Sequence, residues 1–379
     1  MKRVDFVASA QFNIKLLHFF GVWVTPDSSL LYRIYAFFMQ ILIGYTFMLN
    51  VCLILPTQHD LEGFMLSLPI SLTMAGFVIK LANLYVRRYQ IKDFFTLLNS
   101  NESQVYGEEE LDIILRANEV AKKLIYIWFG IFLTAGLTAL SPMISFDPKV
   151  PYPIFYPDWR EGPKMFYISC GYQLICVFSA SLSNGAIDAF ISYFLVVLGG
   201  LIDALRWKLS TLKKTEKMDD AMARREYLGC ISRHKHLLRL ASELQSVFST
   251  VTFAQIFLSS VIVCGLLFQL SLLSPLQDPK LFFKLLSFAS AIFIQIFIPC
   301  YTANEVRIKT EELKLSTYSS EWSEMPQDTK KMIIIFMQRL QHPILITVGG
   351  ILFLGMENFM VVLRFSYSLY SLLRRVHSE

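Results

Sequence analysis

Apolar residues run along this chain in long blocks that contain no Asp, Glu, Lys or Arg. The blocks cover 34–59, 63–79, 124–146, 165–187, 189–202, 244–277, 285–304 and 340–356; the second continues to 86 past Lys80 alone, and the last to 363 past Glu357 alone. A helix needs about 20 mainly apolar residues to cross the hydrocarbon core of a bilayer. Joining the two blocks on either side of Asp188 leaves seven candidates. One or two would suit the buried helices of a large soluble protein; seven predict an all-α membrane protein. The expected spans cover about 34–55, 64–85, 124–143, 165–202, 247–272, 282–303 and 344–372. The fourth is too long for one crossing, because its 38 residues rise ~57 Å as helix against a ~30 Å core. Its far half is expected to leave the lipid and continue as helix to about Leu209.

The segments between spans are patterned too. Leu228, Ile231, Leu238, Ala241 and Leu244 form a stripe among Arg224, Arg225, Arg233, Lys235, His236 and Arg239, which predicts a helix continuous with the fifth span. Ile333, Phe336, Met337 and Leu340 form a second amphipathic helix, and Pro343 separates it from the last span. Segments 203–246 and 305–342 are therefore expected to build a helical region outside the lipid. Pro148, Pro151, Pro153 and Pro157, interleaved with Phe146, Tyr152, Phe155, Tyr156 and Trp159, discourage helix after the third span. That loop reads either as a lid over the helix ends or as an aromatic belt at the interface. At the start, Lys2, Arg3, Lys15 and His18 alternate with Phe6, Phe12, Leu16, Leu17 and Phe19, the pattern of an interfacial helix.

Composition agrees with a membrane protein: 54% of the 379 residues are hydrophobic, only 17% are charged, and mean hydropathy is +0.47. A soluble enzyme is excluded by too little polar surface. Net charge is +5, but its placement matters more. Segments 1–33, 86–123, 203–246 and 305–340 hold 26 of the 35 Lys and Arg, the alternate segments hold 8, and Lys80 is the remaining one. The positive-inside bias places the first set in the cytoplasm, so the N-terminus is expected inside and the C-terminus outside. Ordinary G-protein-coupled receptors run the other way.

Candidate chemistry is sparse. The six Cys form no CxxC pair and read as core residues, and no HExxH, GxSxG or nucleotide-binding glycine loop occurs. No catalytic residue, metal, cofactor or nucleic-acid partner is expected. Among charges at membrane depth, Lys80 reads as snorkelling to the inner surface, and Asp188 as marking where the fourth span leaves the lipid. Glu357 and Arg364 share a face of the last span, which also carries Gly349, Gly350, Gly355, Asn358 and several Ser. Such mixed polarity fits either a pore-lining helix or close packing within a monomer.

The C-terminal third resembles the insect odorant receptor family. The resemblance rests on Tyr301, Asn304 and Glu305; on Tyr318, Trp322, Pro326, Lys330 and Lys331; on Met337, Arg339, Gln341 and Pro343; and on Phe359 and the Ser366–Tyr367–Ser368 triplet. Elsewhere it covers span count, length and sidedness. It implies a ligand-tuned subunit of a tetrameric, ligand-gated, nonselective cation channel in the plasma membrane of olfactory sensory neurons, partnered with a co-receptor. This chain's short 203–246 segment does not resemble the co-receptor itself. By resemblance the last span, within 343–372, lines the pore, 203–246 and 305–342 contribute to a cytoplasmic anchor region, and a small volatile binds in the outer half of a single seven-helix domain spanning 1–379.

The outer halves of the spans then offer Pro69, Thr73, Met74 and Phe77; Thr134, Leu137 and Thr138; Tyr167, Cys170, Gln173, Leu174 and Val177; Ser260, Val261 and Cys264; and Phe288 and Ile292 as candidate ligand contacts. Glu357, Phe359, Val362, Leu363 and Ser366 are the candidate pore residues for permeant cations. The rival readings are a gustatory-type receptor channel, with the same span count and sidedness, and a membrane transporter. The Ser366–Tyr367–Ser368 ending weighs against the first, and the lack of an internal repeat against the second.

Overall fold

A computed structural model describes residues 4–58, 61–105, 107–144, 149–212, 220–273, 275–276 and 278–378. Lys2, Arg3, Phe146 and Pro148, and the middle of 203–246, lie outside them. The helices are α1 (Phe6–Ser9), α2 (Gln11–Phe19), α3 (Leu30–Met39), α4 (Phe47–Leu53), α5 (Leu61–Val86), α6 (Arg88–Leu98), α7 (Glu108–Ala139), α8 (Pro163–Thr211), α9 (Asp220–Leu272), α10 (Pro279–Tyr318), α11 (Gln327–Arg339) and α12 (Met356–Ser378). A wide turn over Gln40–Thr46 joins α3 to α4, so Leu30–Thr57 acts as one spanning element. With α5, α7, α8, α9 and α10 it makes six helices long and apolar enough to cross a membrane. The chain is an all-α, multi-pass membrane protein.

Local chemistry fixes several helix starts. Asp278 caps α10 by accepting from Leu281 N at 3.0 Å, with Pro279 in the first turn; Ser29 caps α3 by accepting from Tyr32 N. At α8 the chain turns at Gly162, whose φ of +130° lies in the region that favours glycine, and Pro163 follows.

The middle of the bundle is α8, buried along most of its length between α7, α10 and α9. Opposite it α5 packs on α9, and α12 packs on α9 and α10. At ~1.5 Å per residue α8, α9 and α10 measure ~74, ~80 and ~60 Å, well past a ~30 Å lipid core. Beyond the apolar stretch they are held to one another and to α7 through polar side chains. Lys208 pairs with Glu226 at 2.8 Å, Arg233 with Glu110 at 3.1 Å, Arg206 with Glu312, and the Tyr227 and Ser320 hydroxyls meet at 2.8 Å.

Two expectations change. The N-terminal segment is not held by lipid contact alone but is docked on the bundle: Phe6 and Leu17 are buried, Asn13 Nδ2 donates to Ala186 O at 2.8 Å, and the Tyr193 hydroxyl donates to Phe6 O at 2.6 Å. Those two polar bonds reward docking against α8 rather than lying on lipid. The last apolar block is also not one helix. Thr347–Val348 (β1) and Leu352–Phe353 (β2) form a small antiparallel hairpin, and helix begins only at Met356. Gly349 and Gly350 sit at φ +63° and +69°, which glycine alone adopts without strain, and a Cβ on Gly349 would meet the Phe253 ring at 2.8 Å. Gln245 holds the hairpin to α9, donating to Thr347 Oγ1 at 2.7 Å and accepting from Thr347 N at 3.2 Å.

Candidate functional site

At the end of the bundle away from these polar extensions, α5, α7, α8 and α10 diverge around a cavity. Its walls are Ile70, Thr73 and Met74; Phe132, Ala135, Gly136 and Ala139; Val177, Ala180, Ser181 and Asn184; and Lys284, Phe288, Ala291 and Ile292, with Tyr152 from the loop. Only about 60 Å³ between these side chains is open to the centre of a water molecule. Pockets for small organic molecules run to several hundred Å³. A ligand therefore enters only by displacing side chains or the loop.

The loop is fastened over the cavity by specific bonds. Gln173, fully buried on α8, accepts from Tyr152 N at 2.9 Å and donates to Tyr152 O at 3.0 Å, closing a two-bond clasp on an irregular backbone. Lys284 donates to Pro151 O at 2.7 Å and lies over the Tyr152 ring at 4.2 Å. Asn50 accepts from Tyr156 N at 2.9 Å, tying the loop to α4. Burial pushes the Tyr152 phenol above its ordinary range, so its hydroxyl stays protonated. Of the two readings of the loop, the lid describes its central part, while Phe155 and Tyr156 remain exposed.

Of the expected ligand contacts, Thr73, Met74, Val177, Phe288 and Ile292 line this cavity. The others lie elsewhere. Leu137, Tyr167 and Leu174 point outward, at 55%, 73% and 50% exposure. Thr134 is exposed and donates to Ile131 O, and Thr138 bridges to Ser287 Oγ at 3.2 Å. On α7 the small residues Ala135, Gly136 and Ala139 face the cavity instead. On α8 the lining lies deeper than expected, because the loop occupies the level of Gln173; Cys170 is buried at that level too. Phe77 and Cys264 are buried in packing, Val261 is half-buried, and Ser260 O accepts from Ser366 Oγ at 3.0 Å.

Sequence reasoning misplaced one group outright. Lys80 does not snorkel: it is 2% exposed and its ammonium donates to both oxygens of Asp188, at 2.7 and 2.8 Å, and to Asn184 Oδ1 at 2.8 Å. Gln295 Nε2 adds a donation to Asp188 Oδ2. A charge with a partner of opposite sign within reach has no need to stretch to water. The cluster joins α5, α8 and α10, and it separates the cavity from a second, smaller one lined by Lys80, Asp188, Gln255, Gln295, Pro299 and Leu354. Asn184 belongs to the first cavity and Asp188 to the second; Leu354 stands just before α12.

The helix α12 has two faces. Phe359, edge-on to Phe293 and Phe297 at 5.2 and 5.4 Å, is buried with Val362 and Ser366 against α9 and α10, and Leu363 is half-buried. Glu357, Val361, Phe365, Ser368 and Leu372 form an exposed stripe at helical spacing. Arg307 Nη1 approaches Glu357 at 3.5 Å.

Long helices that cross a bilayer and enclose a small, mostly apolar cavity under a fastened loop define a multi-pass membrane receptor. The family model described as 7tm Odorant receptor matches residues 60–367, and the chain belongs to that family. Odorant receptor 94a of Drosophila melanogaster is 23% identical to it over 385 aligned residues, covering 99% of both chains. Odorant receptor 2a of the same fly is 25% identical over 362, covering 92% of this chain and 91% of its own. Among solved structures, the insect olfactory receptor OR5 from Machilis hrabei superimposes with a TM-score of 0.86 at 16% identity, covering 98% of this chain and 100% of its own. The same receptor in complex with eugenol superimposes at 0.81. The fold is thus that of an insect olfactory receptor, and family membership makes the chain a receptor rather than an enzyme.

Proposed function

We propose that the chain is the odorant-binding subunit of a ligand-gated, nonselective cation channel in the plasma membrane of olfactory sensory neurons. It crosses the membrane seven times, α12 being the last crossing, with its N-terminus in the cytoplasm and its C-terminus outside. Four subunits, this chain with a co-receptor, assemble around a central pore. The polar extensions of α8–α10, with α11, form the cytoplasmic anchor that joins them.

The observation that carries this reading is the loop-covered cavity among α5, α7, α8 and α10, at the end of the bundle opposite the Lys- and Arg-rich segments. Its similarity to a receptor solved with eugenol supports a small volatile as the occupant. Of the candidate contacts, Thr73, Met74, Val177, Phe288 and Ile292 touch the ligand, joined by Phe132, Ala135, Tyr152 and Asn184. Ligand expands a space that is tight when empty, shifting α5, α8 and α10 around the Lys80–Asp188 pair and, through Leu354, the start of α12. The lumen is lined by Glu357 and the exposed stripe through Val361, Phe365 and Ser368, while Phe359, Val362 and Ser366 hold α12 to its own subunit.

Expression in a heterologous cell, with and without a co-receptor, tests the proposal by recording current while volatiles such as eugenol are applied. Current that needs both the chain and a ligand is expected. A chain labelled at the cell surface beside its co-receptor, yet silent to a broad panel of volatiles, would contradict it.

A further inference from the structure

The deep end of the cavity carries one polar group whose bonding is one-sided. Asn184, 5% exposed, accepts from Lys80 Nζ at 2.8 Å. An ammonium only donates, so the atom facing it is the amide oxygen, and the orientation of the amide is thereby fixed. The amide nitrogen then turns away from Lys80, and no described residue accepts its hydrogens. The two hydroxyls of the helix walls are different: Thr73 donates to Pro69 O at 2.7 Å and Ser181 to Phe132 O at 2.8 Å, which leaves only their lone pairs facing a ligand.

We infer that the cavity selects a small apolar molecule bearing one hydrogen-bond acceptor, such as a ketone or ester carbonyl, and that the Asn184 amide nitrogen donates to it. This rests on reading the cavity as the odorant site. A cation on the amide oxygen draws electron density from the nitrogen and strengthens it as a donor, so the buried pair tunes recognition without touching the ligand. The remaining donors, Tyr152 and Lys284, sit at the loop. Gln173, which clasps Tyr152, precedes Asn184 by ~16 Å along α8, too far for one functional group to bridge. A ligand seated deep therefore presents its acceptor to Asn184 and its hydrocarbon to Met74, Phe288 and Ile292. A plain hydrocarbon leaves the amide unpaired in an apolar wall.

The test uses the full chain with a co-receptor and pairs of probes matched in shape: methyl ketones and the 2-methyl-1-alkenes of the same skeleton. In the native receptor the ketone is expected to act at concentrations about tenfold or more below its alkene. Asn184→Leu is expected to bring the two together by weakening the ketone, with surface labelling unchanged. Asn184→Ser, which keeps a hydroxyl for Lys80, is the second variant and is expected to fall between. Equal potency of ketone and alkene in the native receptor overturns the inference while leaving the channel intact, and needs no variant. A preference that survives Asn184→Leu removes Asn184 as its source. Silence to every probe at full surface delivery overturns the channel reading, and this inference with it.

Discussion

Replacing Lys80 with Met leaves a buried carboxylate without its cation. Asp188 is 3% exposed and receives two short contacts from Lys80 and one donation from Gln295. Methionine fills the volume but donates nothing, so Gln295 alone must stabilise the charge. Removing one partner of a buried pair costs about 3–5 kcal/mol, a large share of the roughly 5–15 kcal/mol that holds a folded protein together. At about 1.4 kcal/mol per factor of ten, the folded fraction shifts by two to three and a half powers of ten. Removing both charges, as Lys80→Met with Asp188→Leu, leaves only Gln295 and Asn184 short of partners, at about 1–3 kcal/mol. The double variant should therefore be more stable than Lys80→Met alone. Thermal unfolding of the detergent-solubilised receptor, followed by size-exclusion of the surviving oligomer, measures this. A Lys80→Met protein that melts with the native one would refute the reasoning, as would losses that simply add.

The remaining expectations are more local. Arg233→Ala strips Glu110, which is 2% exposed, of its ion pair with Arg233 and should cost about 2 kcal/mol, whereas Arg116→Ala, in an exposed pair with Asp112, should cost under about 0.5 kcal/mol; equal melting shifts would contradict this. Gly349→Ala forces a φ of +63° on an L-residue against Phe253, at about 1–2 kcal/mol or more, and should reduce ligand-evoked current per surface receptor; unchanged current would remove the hairpin from the coupling route. Gln173→Leu opens the clasp on Tyr152, so protease cleavage within 149–161 on intact cells should accelerate, and an unchanged rate would show that other contacts hold the loop.

How much of this was legible beforehand varies by scale. Six of the seven charge-free blocks are helices long and apolar enough to cross a membrane, since a bilayer penalises every lone charge, whereas the last block is broken by the hairpin; the length of α8 followed from the same arithmetic. Which face of a helix meets the cavity did not follow. Thr134 was chosen by its depth in the outer half of the third span, which says nothing of its face; its hydroxyl is satisfied by the carbonyl of Ile131 on its own helix, so it is exposed rather than turned to the cavity. The Lys80–Asp188 pair joins residues far apart in the chain, which no local pattern reveals. There was one signal: each is the lone charge within its apolar block, and the signs are opposite. Gly349–Gly350 likewise announced a turn inside what hydropathy alone read as uninterrupted helix.

In the proposed mechanism a volatile opens the channel from within the cavity among α5, α7, α8 and α10. Ala135, half-buried on the wall of that cavity, is the position to fill. With Ala135→Trp the account predicts that ligand-evoked current disappears, or needs far more ligand, while surface labelling of the assembled receptor stays at the native level. A filled receptor that responds to the same volatile at the native concentration would show that the ligand binds elsewhere.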